Sequence, residues 1–194
     1  KLQTHEQSLI SFFGGYMQNE VQELDHHGHK DQVKSAKKFL IFRIDSHLFG
    51  IPLSEVREVI GVTAITPVPN MPNFFRGLIN LRGKVISITD LHHKLLFHDK
   101  GRDDQNKPCI IITEVQGITL GVMVDDVSEV TGIDEKAVER DLNLIGSVKQ
   151  ECIEGAAKST QGKLTLLLNL SKIFDVSELA SLKAGSKDPS RLAA

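Results

Sequence analysis

The sequence predicts an all-β protein of two similar small barrels packed together, on three observations. First, apolar runs of strand length, FLIFRI, HLFGIPL, GLINL, KVISIT, CIIITEV, ITLGVMV and KLTLLLNL, follow one another from Phe39 onward, separated by Gly, Pro, Asn and charged residues. Second, helical spacing is confined to the two ends of the chain. Third, the chain repeats itself. Residues 48–62 laid over residues 119–133, at an offset of 71, match at Gly50/Gly121, Val56/Val127, Glu58/Glu129, Val59/Val130 and Gly61/Gly132. A second block, GKVISITDLHHKLL from Gly83, lies over GKLTLLLNLSKIF from Gly162 at an offset of 79, and each is preceded by another glycine, Gly77 or Gly155. The blocks keep the same order in both halves. A repeat of several strands is too long for a solenoid unit, and it predicts one barrel per half, each closing its sheet so that most strand edges are hidden.

The elements follow in order. Residues 1–36 read as an appendage and linker: Leu9, Phe13, Tyr16 or Met17, Val21 and Leu24 mark an amphipathic helix weakened by Gly14 and Gly15, and the polar stretch DHHGHKDQVKSAKK follows. Residues 37–175 form the β core. Within it SEVREV and DDVSEV begin with residues of N-cap type, Ser54 and Asp125, and place Val at a three-residue step. Seven residues of such spacing fit one helical turn or a twisted strand. Gly50 and Gly121 fall inside strand patterns, where a glycine marks a bulge or a close approach of another backbone, or, as preferred here, lets a small barrel bend. TPVPNMPN, residues 66–73, is loop, because Pro67, Pro69 and Pro72 remove donors and bias their predecessors away from the helix. Residues 176–194 read as a short helix or turn and a polar tail, too short for an appended receiver domain.

Composition excludes several classes. With 194 residues, 40% hydrophobic and 25% charged, the chain is an ordinary globular one, and a net charge of −2 argues against nucleic acid or an anionic membrane as partner. The β core has neither Trp nor Tyr on which bases could stack. Cys109 and Cys152 stand in unrelated settings, so no disulfide framework or CxxC metal site is expected and the reading is a reduced, cytoplasmic protein. No window approaches a spanning helix, and the N-terminus, which lacks an initiating Met, carries no signal pattern.

Catalytic and metal chemistry find little support. His26, His27 and His29 sit in a Gly-containing linker that preorganises no site, and His92, His93 and His98 read as surface histidines. Cys109, between a proline and three isoleucines, reads as a packed strand residue. There is no G-x-S-x-G elbow, phosphate-cradling glycine loop or spaced carboxylate pair. The expectation is a chain that is not an enzyme and that has no cofactor and no metal.

One motif gives direction. FLIFRIDSHLFGIPLSEVREVI, a proline-bearing loop, FRGLINLRGKVISITDL and GVMVDDVSEV together resemble the CheW-type coupling domain of bacterial chemotaxis over residues 38–175. Its most specific feature is G-x-x-N-L-R-G-x-x-x-x-x-x-D-L, here residues 77–91. The resemblance implies two five-stranded SH3-like barrels and a non-enzymatic scaffold. Such a scaffold joins the cytoplasmic hairpins of chemoreceptors, at membrane-associated arrays, to the regulatory domain of the histidine kinase CheA. It also implies a receptor groove beside Arg82 and Gly83 that includes Val56 and Glu58, though Val56 fits the core equally well. The kinase contact is implied on strand ends, with Ile118 and Leu120 as candidates that strand burial would equally explain. The alternative is a related adaptor that tethers the array to another regulatory or polar protein through residues 1–36. Arg82 itself, between Leu81 and the turn-forming Gly83, is expected at a hairpin tip, outside the core.

Overall fold

The computed structural model describes residues 36–95, 108–142, 150–158, 162–174 and 177–178. The predicted N-terminal helix, the linker histidines His26, His27 and His29, and His98 lie outside them. The regular structure of the described chain is mainly strand: β1 (Ala36–Ile44), β2 (His47–Pro52), β3 (Val56–Gly61), β4 (Phe75–Leu81), β5 (Lys84–Asp90), β6 (Cys109–Val115), β7 (Ile118–Val124), β8 (Asp126–Asp134), β9 (Ile153–Lys158) and β10 (Leu164–Leu168). Two single-turn helices, α1 (Leu91–Lys94) and α2 (Leu170–Ile173), follow β5 and β10, capped by the side chains of Asp90 and Asn169. None is long and apolar enough to cross a membrane.

The strands form two five-stranded sheets, ordered β8-β1-β2-β10-β9 and β3-β6-β7-β5-β4. Under the sequence repeat β1 corresponds to β6, β2 to β7 and β3–β5 to β8–β10, and the two orders then become identical. The duplication is therefore architectural, but the expectation of one barrel per half is corrected. Each sheet combines the first hairpin of one half with the last three strands of the other. The repeated segments 48–62 and 119–133 both cross between sheets, one from β2 to β3 and the other from β7 to β8. Crossing points are pinned by hydrogen bonds: the Thr113 hydroxyl donates to the Glu55 carbonyl at 2.7 Å, and the Asp125 carboxylate accepts from the Asp45 amide at 2.7 Å. SEVREV is thus a 3-10 turn (Leu53–Glu55) running into a strand. Neither Ser54 nor Asp125 acts as a helix cap.

Each sheet is closed by one isolated antiparallel bridge, Thr66 with Leu78 and Glu139 with Ala156, each with two backbone hydrogen bonds of 2.8 Å. The paired glycines of the second repeat block stand beside these bridges. A Cβ on Gly77, at φ 135°, would lie 2.2 Å from the Thr66 carbonyl oxygen, and one on Gly155 would lie 2.8 Å from that of Glu139. Only glycine lets the closing segment approach.

Three apolar clusters result, one between the sheets and one inside each. β1 sends Phe39 and Ile41 into its own barrel and Leu40, Phe42 and Ile44 between the sheets. In the same way β6 divides Ile110 and Ile112 from Cys109, Ile111 and Val115. Strands buried on both faces read as continuous apolar runs, the reason for FLIFRI and CIIIT. Gly50 and Gly121 occupy the barrel centres: a Cβ would meet Ile41 Cδ1 at 3.0 Å in one and Ile88 Cδ1 at 2.5 Å in the other. These two glycines make room for core side chains and do not serve to bend the barrel.

Candidate functional site

The β4–β5 hairpin carries the most specific motif. Its strands pair from Phe75↔Thr89 to Leu81↔Lys84, which leaves a two-residue turn of Arg82 and Gly83 at φ 52° and 82°. Two successive positive φ values match the right-handed twist of the flanking strands. Gly83 adopts its value freely, whereas Arg82 accepts a conformation that costs an ordinary residue roughly 1–2 kcal/mol. The Asn80 side-chain oxygen accepts from the Gly83 amide at 2.9 Å, so the N-L-R-G order builds the turn itself. The Arg82 side chain is 80% exposed, and its guanidinium donates to Glu58 Oε2 on β3 at 3.0 Å.

A groove of about 580 Å³ opens beside this pair. β5 and β7 are parallel neighbours, so the β4–β5 and β6–β7 turns stand side by side, the second built on Gln116 and Gly117 at φ 51° and 74°. Leu81, Val85 and Ile118 supply apolar lining between them. On the β3 side Arg57 and Glu58 complete the wall, Arg57 paired to Glu114 of β6 at 2.5 Å. The arrangement is an apolar strip bordered by two arginine–carboxylate pairs, suited to docking a protein surface.

The sequence pattern of the CheW-like domain matches residues 38–178. The chain belongs to the CheW-like family. It is 31% identical over 148 residues to the chemotaxis protein CheW of Thermotoga maritima, covering 75% of this chain and 94% of that one. It is 25% identical over 161 residues to the chemotaxis protein CheW of Treponema pallidum, covering 81% and 94%. The crystal structure of the scaffolding protein TtCheW from Thermoanaerobacter tengcongensis superposes with a TM-score of 0.66 at 32% identity, covering 79% of this chain and 96% of that one.

Within this CheW-like domain, Arg82, Gly83 and Glu58 cluster at the groove, with Gly83 exposed and open space where a Cβ would stand. Val56, half-buried, packs on the cluster between the sheets and pairs with Thr113. The two kinase candidates separate. Ile118 lines the same groove as Arg82, whereas Leu120 is fully buried between the sheets and presents no side chain to a partner. Residues two apart on a strand share a face, but their exposure differs because Ile118 stands at the strand end and Leu120 at its middle. Arg57, Lys84 and Glu114 were not singled out by the sequence reading. Setting Arg57 against its repeat partner Ser128 was the signal that could have found the first.

The histidine reading is corrected. His92 is 4% exposed, its Nε2 lying 3.3 Å from Asp45 Oδ2 across the two sheets, and half-buried His93 places Nδ1 3.1 Å from Asp90 Oδ2. The first ties α1 to the β1–β2 turn, and the second is a contact with the residue that caps α1. Burial, with Asp126 and Asp125 adding to it, pushes the Cys109 thiol up to about 12, which keeps it protonated and inert as a nucleophile. Among the described residues no group of His, Cys, Asp and Glu is arranged to hold a metal ion.

Proposed function

We propose that this chain is a non-enzymatic scaffold of bacterial chemotaxis signal transduction, coupling chemoreceptor cytoplasmic hairpins to the regulatory domain of the histidine kinase CheA. It would work in the cytoplasm, at membrane-associated receptor arrays, through residues 37–175. Residues 1–37 and 179–194 lie outside the stretch that matches the CheW-like domain. The observation that carries the reading is the exposed arginine of the N-L-R-G turn, held in a left-handed conformation at the lip of an apolar groove. A planar guanidinium on an apolar border is the usual chemistry of an interface anchor, since it binds carboxylates in bidentate fashion while its stem packs on the partner. A receptor hairpin that presents an apolar ridge beside polar side chains would fit there. The kinase contact is expected on a different face, and Ile118, which lines the groove, is read here as part of the receptor site.

The variant Arg82→Glu tests this. Its ion pair is exposed, so the melting curve should correspond to a stability change of no more than about 1 kcal/mol. Binding to a receptor cytoplasmic-tip fragment should weaken by roughly 30- to 1000-fold, on the order of 2 to 4 kcal/mol. Affinity for the kinase regulatory domain should hold. Unchanged receptor affinity would overturn the assignment.

A further inference from the structure

Two pairs border the groove, and only one involves the N-L-R-G turn. The other, Arg57 with Glu114, comes from an irregularity in β3. Pairing with β6 runs from Val56↔Thr113 directly to Glu58↔Ile112, so Arg57 is the extra residue of a bulge. Neighbouring residues on a strand ordinarily face opposite sides, and a bulge re-aims one of them. Here it puts both Arg57 and Glu58 on one groove.

The second barrel serves as an internal control. β8 shows the same irregularity against β1, from Phe42↔Val127 to Ile41↔Glu129, with Ser128 as the extra residue. The bulge therefore belongs to the fold, but the arginine does not. At the positions equivalent to Arg57, Glu114 and Ile118 that barrel carries Ser128, Arg43 and His47. The Arg57–Glu114 pair occurs only in the barrel that has the N-L-R-G turn. Nor does stability explain it, since side chains 59% and 39% exposed form a pair of the kind worth about 0–1 kcal/mol. The groove lining holds three basic side chains, Arg57, Arg82 and Lys84, against two carboxylates, Glu58 and Glu114, both already paired.

We propose that Arg57 is a second anchor of the groove, oriented by Glu114 as Arg82 is oriented by Glu58. Both guanidiniums belong to the lining of the groove that also holds Leu81, Val85 and Ile118. They select a helical partner that carries two carboxylates beside an apolar ridge. The inference rests on the receptor-docking reading above and extends it to the chemistry of the partner face.

The test is a charge swap. Arg57→Glu combined with Glu114→Arg keeps the ion pair but turns a carboxylate toward the partner, and Arg57→Gln removes the guanidinium alone. Titration calorimetry with a recombinant dimeric receptor-tip fragment should show about tenfold weaker binding for Arg57→Gln and a larger loss for the swap. Both should melt with the parent, and Arg57→Gln should show a shallower dependence of affinity on salt. A swap that binds like the parent would make the pair structural and overturn the proposal. If the swap itself melts early, Arg57→Gln decides alone, and parental affinity in that variant overturns the proposal equally. Arg82→Glu, run alongside, separates the two readings. Loss there with normal binding in both Arg57 variants removes only the second anchor, whereas no loss at Arg82 removes the docking site itself.

Discussion

Arg82 is a residue placed against its own backbone preference. At φ 52° it sits where glycine is at ease, and among the described residues its side chain is held by an exposed ion pair to Glu58. The same left-handed φ recurs at Asp45 and Gln116 in two other tight hairpin turns, so the conformation belongs to the turn, and the proposed receptor-docking role belongs to the side chain placed there. Replacing it separates the two. Arg82→Gly should raise stability by up to about 1 kcal/mol, the relief of left-handed strain being partly offset by the greater freedom of glycine in the unfolded chain. The same variant should bind the receptor fragment more weakly than the parent. Chemical denaturation and a binding titration on one preparation check both outcomes, and a loss of stability would mean that the guanidinium is a structural part of the turn.

Among the described residues, each barrel is closed by one two-bond bridge beside a glycine. Gly77→Ala would drive a Cβ into the Thr66 carbonyl and force an alanine to φ 135°. Backbone strain of about 1–3 kcal/mol and two lost hydrogen bonds of about 0.5–1.5 kcal/mol each put the expected cost at roughly 2–6 kcal/mol. Gly155→Ala, with Val138 Cγ1 at 2.5 Å and the Glu139 oxygen at 2.8 Å but no positive φ, should cost less. Gly83→Ala meets nothing within 4 Å and should show only the strain of its φ, roughly 1–2 kcal/mol. Urea unfolding of the three variants gives the order. Gly77→Ala as stable as the parent would mean that the bridge does not close the barrel.

For the whole molecule, the crossing of the chain between sheets has a consequence that two independent barrels would not share. A cut in the segment joining α1 to β6 yields one piece with β1–β5 and another with β6–β10, and neither holds a complete sheet. Each piece alone should therefore be unfolded by circular dichroism and amide dispersion, and an equimolar mixture should recover the β spectrum. A half that folds alone would contradict the exchange. The same crossing gives the large shared cluster, in which Leu40, Phe42 and Phe49 from one sheet meet Ile111, Leu120 and Val122 from the other. Burial of that kind, about 1.5–3 kcal/mol for each fully buried large side chain, sets the angle of the two barrels more firmly than surface contacts could.

The sequence by itself determined that the protein is built of strands, that its plan is duplicated, and that Arg82 stands at an exposed hairpin tip beside Gly83. These are local properties: propensity, spacing and turn chemistry are written in neighbouring residues. It also marked Gly77 and Gly155 as a pair before any reason for them was visible. Only the tertiary structure decided which sheet each strand joins, because strand partners in different halves are chosen by long-range pairing that leaves no local mark. Only it showed the bulge that turns Arg57 into the groove, the burial of His92 against Asp45, and the separation of Ile118 from Leu120. Where both faces of a strand are buried, the alternation that would tell core from surface is erased, and the position of each side chain is set by the sheet packed against it.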